Sequence, residues 1–356
     1  MVRSLIVALL MTCAAPAFAQ TTSPSQVLDA AVNGVIRPAM AEFKLQAAGL
    51  DSAMGGLCAQ PSAETLRIAR DQFAQAALGY GAVEYLRIGP LMEDNRSDRL
   101  LFWPDRKGIA LRQVQAILAD DDASATELTS LRAKSVAVQG FGALEFVLFG
   151  TDAETLGGAE GAFRCQFGEA IAANIAEISD ELAAGWYRED GIALHLTKPS
   201  PDYVDYRTEV EALEQLVGLV SHGIEATRDT RINPFIAQGD TAAKPKQALF
   251  WRSGLTMAMI KANIDAMAWM MDVSGMARAV AEKDKALDNS IAFEFANATR
   301  AMDLVTLPAE QAVADDKQAR ALAYLVLVTG SLQSLVGEQL SAALGLSVGF
   351  SSLDGD

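Results

Sequence analysis

Residues 62–86 read SAETLRIARDQFAQAALGYGAVEYL, and the reading of this stretch sets the fold class. Ala, Leu, Glu and Gln fill most of its positions, the apolar residues recur at helical spacing, and Ser62 is placed to cap the start. A helix is expected over 62–88. The same character extends both ways, with helices expected at 25–48, 109–119, 124–149, 159–186 and 202–229, then at 253–273, 276–305 and 309–344. Gly150 and Gly275 can end helices, and Pro90, Pro104, Pro234 and Pro245 fall in connections. Strand alternation is nearly absent, so the chain is expected to be all-α. Helices of ~20 to 30 residues suit antiparallel bundles, and these are too many for one four-helix core. Two helical bundles are expected, residues 20–188 and 189–356, with the site in the cleft between or within them.

The 356 residues carry 29 Lys+Arg against 45 Asp+Glu, a net charge of −16, which disfavours nucleic acid as a partner. A hydrophobic fraction of 51% with 21% charged residues excludes a disordered chain. Only two histidines occur, which removes most His-based hydrolytic mechanisms. Arg3, the apolar run Leu5–Met11 and Ala17-Phe18-Ala19 before Gln20 follow the order of a secretory signal peptide, residues 1–19, cleaved after Ala19. Export to the periplasm is therefore expected. No transmembrane segment is expected in the mature chain, because even Ala321–Val336 is broken by Thr329, Gly330, Ser331, Gln333 and Ser334. In an oxidising compartment Cys58 and Cys165, the two cysteines beyond the leader, are expected to pair; two separate buried thiols are the alternative.

One segment recurs. Gly79-Tyr80-Gly81-Ala82-Val83-Glu84-Tyr85-Leu86 returns as Gly140-Phe141-Gly142-Ala143-Leu144-Glu145-Phe146-Val147. Glycine within a helix costs ~1 kcal/mol relative to Ala, so four at matching places imply close backbone approach. If the segments cross, Glu84 and Glu145 share a partly buried site walled by Tyr80, Phe141 and the loop Phe102-Trp103-Pro104-Asp105-Arg106. Interior carboxylates then need a shared proton, a metal, or a cation such as Arg87, Arg96 or Arg106. The other reading is helix packing alone. The Phe102–Arg106 loop and Trp251-Arg252-Ser253 read either as plugs over a core or as walls of a ligand pocket. His222 and Glu225 stand three apart on one helical face, a spacing that suits iron or zinc but supplies only two ligands, and also suits a surface hydrogen bond. His195 reads as structural. No His-Glu-x-x-His helix, haem-attachment motif, P-loop or Gly-x-Ser-x-Gly elbow is present.

These landmarks together resemble the imelysin family of bacterial exported proteins. The resemblance covers essentially the whole chain beyond the leader: Val35-Ile36-Arg37-Pro38, Leu57-Cys58, Arg87-Ile88-Gly89-Pro90-Leu91, Arg99 to Lys107, Val138 to Glu145, Arg164-Cys165, Trp251 to Gly254, and Gly349 to Asp356. It implies a pair of helical bundles with a site in a cleft between them. The family's Gly-x-His-x-x-Glu falls here on Gly140, Gly142 and Glu145, so glycine stands where the family has histidine. The resemblance also implies two activities, a metallopeptidase and a role in bacterial iron uptake. With one metal ligand gone, a periplasmic binding or accessory protein for iron acquisition is the expected function, and an imelysin-type metallopeptidase the alternative. Expected ligands are a small molecule, iron or another divalent or trivalent metal, and expected partners are envelope iron-uptake proteins.

Overall fold

The computed structural model describes residues 22–105 and 107–347; the leader at 1–19, Arg106 and the closing landmark at 349–356 lie outside them. Its first helix runs through both halves of the molecule. Ser23 caps it through a reciprocal box with Gln26, Pro24 occupies its first turn, and α1 (Pro24–Ala31) passes through a π turn at Val32–Ile36 into α2 (Arg37–Ala59). Next come α3 (Ala63–Gly81), α4 (Ile109–Ala119), α5 (Phe141–Phe149) and α6 (Ala162–Tyr187). The second half supplies α7 (Glu209–Ala226), α8 (Thr256–Ser274), α9 (Ala286–Asp303) and α10 (Asp316–Gln333). No strand occurs among the described residues, only an isolated bridge between Gln238 and Thr241.

Two sets of helices pack side by side. In one, α2 lies against α3 and α6 with α5 closing the set; in the other, α1 lies against α7 and α8, and α9 and α10 complete it. Thus α1 and α2 fall on opposite sides of the joint although both precede residue 188. The sets also meet directly where α3 packs on α8. Apolar side chains from both sets form one continuous core.

Several helices are shorter than expected, each for a local reason. The helix from Ser62, whose hydroxyl accepts from Thr65 N–H, stops at Gly81, and Ala82–Tyr85 is a turn. The stretch 124–149 breaks into short turns before α5, and just ahead of α5 Gly140 sits against neighbouring backbone: a Cβ there would lie 2.2 Å from the Leu100 carbonyl oxygen and 2.4 Å from that of Arg99. The expected helix 309–344 is divided by Asp315, whose carboxylate accepts from the N–H groups of Lys317 and Gln318 and so starts α10 afresh.

Cys58 and Cys165 are joined, tying the end of α2 to the start of α6 with Cα atoms 5.5 Å apart. The bond closes a loop of 107 residues, worth ~4 to 5 kcal/mol in the chain-entropy account. Reduction, or the Cys58→Ser/Cys165→Ser pair, should lower the unfolding free energy by about that amount in urea titrations; an unchanged midpoint would contradict it. The glycines of the second echo should separate sharply. Gly140→Ala should cost ~3 kcal/mol, because the obstacle is backbone. Gly142→Ala, with nothing within 4 Å of its Cβ position, should be neutral or gain up to ~1 kcal/mol. Equal melting shifts for the two variants would refute this.

Candidate functional site

The two echo segments adopt opposite roles. Gly79-Tyr80-Gly81 ends α3, whereas Gly140 precedes and Phe141 begins α5. Gly81 lets α3 approach α8, where a Cβ would come 2.8 Å from the Met259 sulfur. Tyr80 and Phe141 are buried and stacked, ring centroids 5.6 Å apart, within a cluster that includes Phe43, Phe73 and Phe250. They are core, and the expectation that they wall a ligand site is corrected: at the end of α3 and the start of α5 their rings meet each other before they can meet a ligand. Burial pushes the Tyr80 hydroxyl far above its ordinary range, with Glu84 adding to the effect.

Glu84 and Glu145 each find partners from the second half of the chain, and the partners differ. One Glu84 oxygen accepts from the Arg231 guanidinium at 2.8 Å; the other accepts from Asn263 Nδ2 at 2.7 Å, which also donates to the Gly81 carbonyl. Both side chains of the ion pair are nearly buried. Arg231 lies in the π turn Thr227–Ile232 that continues α7, and the preceding residue, Thr230, accepts from the Trp103 indole at 3.0 Å. The cation is therefore Arg231 and neither Arg87 nor Arg96. Arg87 donates to the Ser97 hydroxyl, and Arg96 is held by Glu181, Glu93 and Asp94. Arg106 lies outside the described residues.

Glu145, 5% exposed on α5, accepts from both the backbone N–H and the hydroxyl of Ser253 at 2.9 Å. Phe250, buried against Phe73, takes a positive φ of 57° and starts the turn that aims Ser253 inward. Arg252 stacks between the rings of Trp251 (4.5 Å) and Phe146 (5.4 Å), and Lys246 covers Trp251. Burial raises the Glu145 carboxyl above its ordinary value although the Ser253 hydrogen bonds and the Arg252 charge oppose this; burial likewise lowers Arg252. In the other loop Phe102 and Trp103 are half-buried, and Asp105 caps α4 by accepting from Ile109 and Ala110 N–H at 2.7 and 2.9 Å. Two separate sets of contacts thus tie the first half of the chain to the second across a seam between the helix sets: Glu84 and Trp103 meet the π turn after α7, and Glu145 meets Ser253. Sequence reasoning missed Arg231 and Asn263, whose only sequence signal is polarity within an otherwise apolar helical pattern.

His222 and Glu225 share a face of α7, as their spacing requires, and line a separate cavity. His195 donates from Nδ1 to the Asp205 carboxylate (3.0 Å) and stacks on Tyr203.

The imelysin family profile matches residues 36–336. No curated protein matches the chain significantly. Among solved structures it is similar to an imelysin-like protein from Psychrobacter arcticum 273-4, with 19% identity, a TM-score of 0.75, and coverage of 94% of this chain and 99% of that one. It is also similar to a candidate iron-regulated protein A precursor from Parabacteroides distasonis ATCC 8503, with 16% identity, a TM-score of 0.69 and coverage of 90% and 97%. The residues present do not fit a hydrolytic metal at the family motif. Gly142 offers no donor, Glu145 Oε1 accepts two hydrogen bonds from Ser253, and Glu84 is engaged by Arg231 and Asn263. Among the described residues no three His, Cys, Asp or Glu side chains converge closely enough to hold a metal ion, so neither Glu84 with Glu145 nor His222 with Glu225 gains a third such ligand.

Because the folded carboxyl of Glu145 titrates above its ordinary 4.5, its ionisation opposes folding: the native state is favoured below that value and loses the advantage as pH rises through the folded pKa. Glu145→Gln keeps an oxygen for Ser253 and removes the titration. Its Tm relative to the native protein should therefore rise as pH increases from 4.5 toward neutrality. A pH-independent difference would count against a burial-raised carboxyl.

Proposed function

The chain belongs to the imelysin family, and from that premise we propose that it is an exported binding or accessory protein of the bacterial envelope, serving iron acquisition without hydrolysing peptides. The observation that carries this reading is the state of the motif glutamate. A metal-dependent hydrolase needs about three protein ligands and a base free to act on water. Here the motif's histidine position is Gly142, and Glu145 is buried and engaged by Ser253 from the other helix set. That geometry suits a carboxylate that closes a seam. Iron as the context is supported by the name of the Parabacteroides distasonis relative, and the leader ending at Ala19 supports the periplasm. In this reading the ligand is a metal ion or small molecule handled as cargo, and the partners are envelope iron-uptake proteins.

A strain lacking the protein should grow more slowly than its parent under iron chelation and equally well in iron-replete medium. Plasmid copies of the native chain and of Glu145→Gln should restore growth alike, since the variant preserves the seam. Loss of rescue by Glu145→Gln, together with chelator-sensitive cleavage of an unfolded protein substrate by the native chain, would establish the peptidase reading instead.

A further inference from the structure

The cavity beside α7 lies apart from the seam: none of the residues that hold Glu84 or Glu145 lines it. It measures about 490 Å³, within the range of small-molecule pockets. Its first wall is a single stripe of α7. Glu211, Glu214, Gly218, His222 and Glu225 are spaced three, four, four and three residues apart, so they stand one above another along the helix. At 1.5 Å per residue the carboxylates span about 21 Å. The facing wall is the π turn Ser334–Leu340 after α10, which contributes Glu338 and Gly337. A Cβ on Gly337 would lie 2.5 Å from the Ser221 hydroxyl, so small residues form the floor where the two helices come closest.

Glu225 marks the groove as more than a solvated acidic surface. It is 7% exposed, lines the cavity, and its Oε2 is buried without a hydrogen-bond partner among the described residues. A buried carboxyl oxygen without a hydrogen-bond partner carries a desolvation cost unless something satisfies it. Arg228 reaches Glu225 through its charge but gives it no hydrogen bond, since its guanidinium donates to Asp229 and Gln333. Three rim carboxylates have one neutral donor each: Glu211 accepts from Arg207 N–H, Glu214 from the Ser347 hydroxyl, and Glu338 from the Ser334 hydroxyl, whereas Asp205, also on the lining, is already engaged by His195 and by Tyr206 N–H. Among the described residues no Lys or Arg lines the cavity.

We propose that this groove binds an elongated organic polycation, an oligoamine whose ammonium groups are read by the carboxylate ladder of α7 and whose innermost ammonium meets Glu225. A single metal ion fits less well, because the carboxylates are strung along a helix and no three of them converge. Separated charges call for a ligand with separated charges. Val217 and Tyr206 also line the cavity, but both are nearly buried, so the carboxylates rather than apolar surface would carry recognition.

Titration calorimetry with spermidine at low and moderate salt tests this on the full chain beyond the leader. The expected result is one site, weakened by salt, with the diamine putrescine binding less tightly. Glu225→Gln should weaken spermidine at least about tenfold, the equivalent of one ion pair of ~1.4 kcal/mol. Glu310→Gln, which removes the same charge from the exposed surface near α10, should change nothing. Gly218→Lys, where only His222 approaches the Cβ position and at 3.9 Å, should fold and abolish binding by placing a tethered ammonium in the groove. Circular dichroism melts verify that each variant is folded. The proposal is overturned if spermidine fails to bind at millimolar concentration, or if Glu310→Gln and Glu225→Gln weaken it equally, which would mean diffuse attraction to a chain of net charge −16. Binding of Mn²⁺ or Fe³⁺ that depends on Glu225, without spermidine binding, would overturn it in favour of a metal.

Discussion

Two carboxylates in the first half of the chain, Glu145 buried and Glu84 nearly so, find their donors among the described residues in the second half, and the joint between the helix sets is organised around that constraint. Glu84 and Glu145 would each cost several kcal/mol if left alone in a packed interior. Arg231 with Asn263 satisfies one, and Ser253 offsets part of the burial cost of the other, so a shift of the helix sets that kept either carboxylate buried would leave it without its donors. Trp103 adds a third tie by donating to Thr230, one residue from Arg231. Such pairs contribute little net stability compared with apolar packing of the same volume, but they penalise any alternative arrangement of the joint.

Backbone irregularities bring these donors into place. The π turn after α7 extends the helix without regular repeat and delivers Thr230 and Arg231 to the seam. Phe250 accepts a left-handed conformation, which costs a non-glycine residue ~1 to 2 kcal/mol, because its ring is fixed in the aromatic cluster with Phe73. The turn that follows presents Ser253 through both its N–H and its hydroxyl. A further π turn at Val32–Ile36 lies in the continuous opening helix, between the part that packs with α7 and α8 and the part that packs with α3 and α6.

The carboxylates of this acidic chain therefore serve two distinct purposes. Those in the seam are engaged across the joint, Glu84 by Arg231 and Asn263 and Glu145 by Ser253. Those along α7 share one face, have few donors, and include one buried oxygen with no partner. Charge that is matched holds parts together; charge that is unmatched and sheltered from solvent is available to a ligand.

The helical class, the pairing of Cys58 with Cys165 and the family resemblance were legible in the residues themselves, because helical spacing, cysteine count and local motifs are properties of the chain in order. The echo around Glu84 and Glu145 was legible as a pattern but not as a structure. Identical spacing ends one helix and precedes another, since what surrounds each copy, the α8 methionine at Gly81 and the backbone of Arg99 and Leu100 at Gly140, comes from distant sequence. Likewise Arg231, Asn263 and Ser253 carry no local mark of their partners, which lie 147, 179 and 108 residues away. Local energetics fix the helices and the order of landmarks; which buried charge meets which donor depends on long-range packing, and only the tertiary structure decided it.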